Sequence, residues 1–165
     1  GDVILGLRSS GVHSNGYSLV RKALGRDGLA VGLDTVPEGW EETVAEAVMK
    51  PTRLYVRSAL AAVATGAVHA MAHITGGGMY GNVIRVIPKG LDIDIDFRSW
   101  ERPKIFDLIQ SAGIEEDEMR KVFNLGIGYV FIVDPDEVHL IEGALSGSGE
   151  SIVRIGRVVK CTSRA

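Results

Sequence analysis

Two short apolar runs, Val3 to Leu7 and His69 to Ile74, each stop abruptly at a stretch of glycine and small polar residues, Ser9 to Gly16 and Thr75 to Gly78. An apolar run of this length bounded by turn residues reads as a buried strand, and the loop behind each one runs into a segment of helical character. A chain built this way must carry strand, loop and helix units around a sheet, with its chemistry gathered where the loops leave the strands. The 21 glycines among 165 residues reinforce the point, because they are clustered in loops and not spread through the elements.

Periodicity fills in the rest. Tyr17, Val20 and Leu24 recur at helical spacing, and Gly25 to Gly39 forms a connector to which no role is assigned. A helix is expected over Glu41 to Met49, and Pro51 ends it. A second follows from about Leu54 to Ala64, with Val56, Leu60 and Val63 on one face. Met79 to Val86 suits a helix stopped by Pro88, and Leu91 to Phe97 alternates strictly as a half-buried strand with Asp92, Asp94 and Asp96 on its wet face. Further helices are expected over Pro103 to Ala112, Glu115 to Val122 and Asp136 to Leu145. Strands are expected over Ile127 to Val133 and Ile152 to Val159. This alternation predicts an α/β class, a mixed sheet flanked by helices in a single domain.

Composition narrows the function. A balance of 18 basic against 21 acidic residues, net charge −3, excludes the basic excess of a nucleic-acid binder. No apolar run reaches the ~18 residues of a membrane span. One cysteine, Cys161, and no Asn-x-Ser/Thr acceptor point to a reducing, cytoplasmic compartment.

The glycine loop at Thr75-Gly76-Gly77-Gly78 can present several N–H groups to one anion at the start of a helix, or it can be a tight turn that needs glycine for positive φ. It has neither P-loop nor dinucleotide spacing. The first loop collects Ser10, Gly11, His13, Ser14 and Asn15 at a sheet edge where α/β folds bind ligands, and the alternative is that Ser14 or Asn15 merely caps the next helix. Since little apolar material surrounds His13, its imidazole is expected to be accessible and to titrate near ~6.5. The remaining candidates fail on spacing. His69 and His73 would stand roughly 13 Å apart on a strand. Asp92, Asp94 and Asp96 lack the glycine and glutamate of a calcium loop, and Ser146 and Ser148 lack a hydrolase elbow.

The blocks Gly1 to Leu7, Ser9 to Lys22, Pro51 to Val56, Ala72 to Gly78, Asn82 to Pro88 and Phe123 to Gly128 resemble, in order, the aminoimidazole ribonucleotide synthetase family, also called phosphoribosylformylglycinamidine cyclo-ligase. The resemblance covers nearly the whole chain and implies the family's carboxyl-terminal domain alone, residues 1–165. It further implies ATP-dependent ring closure of formylglycinamidine ribonucleotide in purine biosynthesis, with ATP and Mg2+ held mainly by an amino-terminal domain that this chain lacks. That domain would be a partner, the complete enzyme would be a homodimer, and the isolated domain would be inactive. His13 and Asn15 are then expected at the reacting end. Ser10, Gly11, Ser14, Thr75, Gly76, Gly77, Gly78 and Asn82 are expected to contact substrate or phosphate; Asn82 and Asn124 are the weaker candidates, the alternative for both being that they only hold the loops. No metal ligand is expected in this domain. The alternatives are a formylglycinamidine ribonucleotide synthetase-like member of the same superfamily, or a non-catalytic binding domain of the same fold.

Overall fold

A computed structural model describes residues 1–26 and 28–161. Five strands form one sheet: β1 Val3–Arg8, β2 Val68–His73, β3 Leu91–Ile95, β4 Ile127–Val133 and β5 Ile152–Lys160, in the order β2-β4-β1-β5-β3. Among the described residues seven α-helices accompany it: α1 Tyr17–Leu24, α2 Val44–Met49, α3 Val56–Ala64, α4 Gly78–Val83, α5 Lys104–Gln110, α6 Glu116–Val122 and α7 Val138–Leu145.

The sheet flanked by helices is as the alternation predicts, but every one of its four pairings is antiparallel, where a mixed sheet is expected. The physical reason lies in strand order. β1 and β2 run the same way, as do β4 and β5, yet each of these helix-linked pairs is separated by an intervening strand of opposite direction. Alternating periodicity reports the connections and is silent about which strand is inserted between them.

Apolar side chains bury both faces of the sheet. Leu5, Leu7, Phe131 and Val133 pack on one face with Ala62 of α3 and with Val138 and Ile141 of α7. Ile4, Ile127, Val130 and Ile155 pack on the other with Met79 and Val83 of α4 and with Trp100. A third cluster joins α1, α2, α5 and α6 through Val20, Val44, Phe106, Met119 and Phe123, away from the sheet. The start of α2 is set by Thr43, whose hydroxyl accepts from Glu46 N–H while the Glu46 carboxylate accepts from Thr43 N–H, so the helix begins three residues later than its periodicity suggests.

Two expectations about burial change. The apolar stripe of α3 faces outward, and Ser58 and Ala62 are the buried residues of that helix. β2 is an edge strand with alternating exposure, not a fully buried one, because it pairs with β4 alone.

Candidate functional site

The carboxyl end of β1 and that of β2 point the same way, with only β4 between them, so the loops they feed lie side by side. The contact is direct: Asn15 Oδ1 accepts from Gly76 N–H at 3.0 Å. The first loop and the glycine loop are thus one surface.

Each loop is held from beneath by one buried asparagine. Asn82, on α4, donates from Nδ2 to the carbonyls of Thr75 at 3.2 Å, Gly76 at 3.3 Å and Gly78 at 2.7 Å, and its Oδ1 accepts from the Thr75 hydroxyl at 3.1 Å. Asn124, just before β4, donates to the Gly11 carbonyl at 2.8 Å and accepts from Ser9 Oγ and Gly126 N–H, both at 2.8 Å. A carboxamide suits this position because it carries two donors and an acceptor on one planar group, enough to fix several loop carbonyls at once. Gly78 allows the second loop to sit against α6. Its φ is 65°, and a Cβ there would collide with the Arg120 carbonyl.

His13 is where the structure departs most from expectation. Its side chain is 1% exposed, not accessible, with φ of 59°. Nε2 accepts from Ser10 N–H at 3.2 Å and from Arg53 N–H at 3.5 Å, which requires the lone pair on that nitrogen and places the ring proton on Nδ1. Burial, then the nearby His73 and Arg53, lower its pKa from 6.5 to about 4. A neutral, walled-in imidazole results. The residues that wall it in come from far along the chain: Arg53, Tyr55 and His73, with Gly128 so close that a side chain there would strike His13 and Tyr55. The polar composition of its own loop could not show this.

The segment after Pro51 closes the first loop. Ser10 Oγ donates to the Pro51 carbonyl at 2.7 Å, Ser14 Oγ lies 3.2 Å from Thr52 Oγ1, and Tyr55 OH donates to the Arg8 carbonyl at 2.7 Å. Arg53 bridges the Arg8 carbonyl and Glu150, whose other oxygen accepts from Ser58. Arg53 and Tyr55 lie within the Pro51 to Val56 block, where no motif or spacing marks either as part of the site.

Several cavities open beside the loops, and two of them bring charged side chains to the loop residues. One of about 420 Å³ is lined by Gly77, Tyr80, Asp117, Arg120 and Lys121. The Arg120 guanidinium there is shared with the Glu116 carboxylate and lies 4.2 Å from the Phe97 ring centre. The other, of about 550 Å³, is lined by Ser10, Trp40, Lys50 and Lys104, so the connector 25–39 ends as a wall of the site region. Among the described residues no three His, Cys, Asp or Glu side chains come together as a metal site. A phosphate cradle at 75–78 is only partly open, because Gly76 N–H and Gly78 N–H are already bonded to Asn15 and to the Thr75 carbonyl.

The family profile described as AIR synthase related protein, C-terminal domain, matches residues 1–164. The chain belongs to this family. Similar members include proteins named phosphoribosylformylglycinamidine cyclo-ligase from Bacillus subtilis, 45% identical over 161 residues, and from Neisseria gonorrhoeae, 49% identical over 157 residues. A third, from an Exiguobacterium species, is 48% identical over 164 residues. These matches take in 94% to 97% of this AIR synthase related chain but only 45% to 46% of each relative, so the chain spans less than half the length of the relatives it resembles. No helix among its described residues is long and apolar enough to cross a membrane.

Proposed function

We propose that this domain is the substrate-orienting half of an ATP-dependent cyclo-ligase that closes formylglycinamidine ribonucleotide to aminoimidazole ribonucleotide, with release of ADP and phosphate, in cytoplasmic purine biosynthesis. The observation that carries the reading is the bond from Asn15 to Gly76, which makes the two most family-like loops a single face. ATP and its Mg2+ would be held mainly by the half that precedes this domain in longer relatives. That half would also carry most of a homodimer contact.

In this reading Asn15, Ser14 and Ser10 present polar groups to the reacting end, and Gly77 N–H with Lys121 supplies donors to a phosphate. Ring closure needs its formyl and amidine ends held in one geometry, and rigid loops provide this by positioning before any proton moves. His13, Asn82 and Asn124 act on substrate only through the loops they hold. His13 is a positioning residue, since a ring that accepts from two backbone N–H groups and is shut off from solvent has no free lone pair to offer.

The test is ring closure by a chain that joins the preceding half of the Bacillus subtilis relative to this domain. ATP-dependent turnover by that chain, lost by about 10²-fold in Asn15→Ala without loss of folding, supports the reading, since that is the scale for groups that orient or stabilise a reacting centre. Turnover indifferent to Asn15→Ala counts against it.

A further inference from the structure

The outer face of α3 has no covering element among the described residues. Val56, Leu60 and Val63 recur at i, i+4 and i+7 and are 65%, 66% and 45% exposed, and Leu54, just ahead of the helix, is 86% exposed. A helix on a domain surface normally turns such a stripe inward. Met71, 39% exposed, extends it on β2, on the sheet face that α3 covers, since its ladder partner Phe131 belongs to the cluster beneath that helix. Arg57 is the one charged residue in α3, and β2 leaves one hydrogen-bonding edge open. Exposed apolar patches and open edges of this kind mark contact surfaces.

Both ends of the stripe have a meaning in the fold. At its start, Tyr55 reaches the Arg8 carbonyl and Thr52 meets Ser14, so Leu54 and Val56 stand at the rim of the two-loop site. At its end the chain turns through 65–67 into β2, where His69 Nδ1 meets Asp2 at 2.7 Å, beside the start of β1. In the relatives this domain is the C-terminal one and occupies 45% to 46% of the length, so the rest of their chain reaches it at Asp2. The six residues of β1 separate that point from the site by roughly 20 Å. The stripe on α3 thus spans the same two ends, from the start of β1 to the rim of the site, that a body tethered at Asp2 and reaching the loops has to bridge.

We infer that the outer face of α3, with the open edge of β2, seats the half that precedes this domain in its relatives, through apolar contact on Leu54, Val56, Leu60, Val63 and Met71. The inference rests on the proposed function in one respect, that this half completes the site. Hydrogen–deuterium exchange over residues 54–73 tests it, comparing the 165-residue chain with the chain joined to the preceding half of the Bacillus subtilis relative. Exchange should slow about tenfold or more in the longer chain. Leu60→Asp should restore fast exchange there while shifting the thermal midpoint of the 165-residue chain by no more than about 2 °C, as an exposed substitution does. Equal exchange in the two chains overturns the inference. Sedimentation of the 165-residue chain gives a second, independent reading: a monomer at tens of micromolar supports it, whereas a dimer that Leu60→Asp dissolves assigns the face to a second copy and overturns it. Protection without ATP-dependent ring closure would refute the proposed function and leave this surface standing. Ring closure without protection would do the reverse.

Discussion

Replacing His13 by alanine should destabilise the domain strongly, and by an amount that can be worked out. The ring accepts from two backbone N–H groups, and an unsatisfied buried donor costs about 1–3 kcal/mol. The Arg53 bond is long at 3.5 Å and belongs at the low end, so the two together contribute about 2–4 kcal/mol. The void left by a side chain that is 1% exposed adds to this, and removing the buried Nδ1–H, which has no partner, offsets it, so the total stays at about 2–4 kcal/mol. For a domain of this size the thermal midpoint should fall by roughly 10 °C. The pH dependence is more specific still. His13 binds its proton at about 4 in the folded state and near 6.5 when unfolded, so the unfolded chain holds more protons between those values. The neutral ring's contribution is therefore complete above pH 6.5 and is lost as pH falls towards 4, by about 3 kcal/mol in all. His69, raised by its hydrogen bond to Asp2, works in the opposite sense, and subtracting the His13→Ala curve from that of the parent removes it. Urea unfolding of both proteins from pH 4 to 7.5 is the assay. A loss below 1 kcal/mol, or parallel pH profiles, would refute the reasoning and return His13 to an exposed, reactive role.

Other outcomes follow from the same contacts. Asn82→Ala should cost about 2–3 kcal/mol and accelerate amide exchange at 75–78, because three loop carbonyls lose their donor. Gly78→Ala should destabilise by about 2 kcal/mol or more through its collision with Arg120 and its φ of 65°, whereas Gly81→Ala in the same helix meets open space and should stabilise by about 0.5–1 kcal/mol in thermal melts. Glu116 is held down to about 2, chiefly by the Arg102 guanidinium and also by Arg120 and Gln110. Its contribution is present above 4.5 and lost as pH falls towards 2, so Glu116→Gln should flatten acid unfolding in that range.

Much of the fold was legible because its elements carry their own period. Ile127 to Val133 reads as a strand and is one, and Pro103 and Gly113 bracket α5 closely. Strand order was not legible, since nothing in β4 states that it lies between β1 and β2. The stripe Val56, Leu60, Val63 announces an apolar face but not what covers it, and in this domain solvent does. At the site the two loops were visible as glycine clusters, and their contact through Asn15 and Gly76 follows from sharing one sheet edge. The burial of His13 was hidden because Arg53, Tyr55 and Gly128, which enclose it, lie 40 or more residues away in sequence. Asn82 and Asn124 stand out in the sequence as candidates for substrate contact or loop support, but the carbonyls that each one bonds could not be read from it.

The central claim is that loops 9–16 and 75–78 act as one substrate-orienting face. It is tested most directly by titrating formylglycinamidine ribonucleotide into the 165-residue chain and following backbone amide resonances. The expected result is that Ser10, Ser14 and Asn15 shift together with Gly76 and Gly77 at one common midpoint, and that Asn15→Ala weakens the response of both loops. Shifts confined to one loop, two separate midpoints, or shifts only at residues outside both loops would contradict the claim.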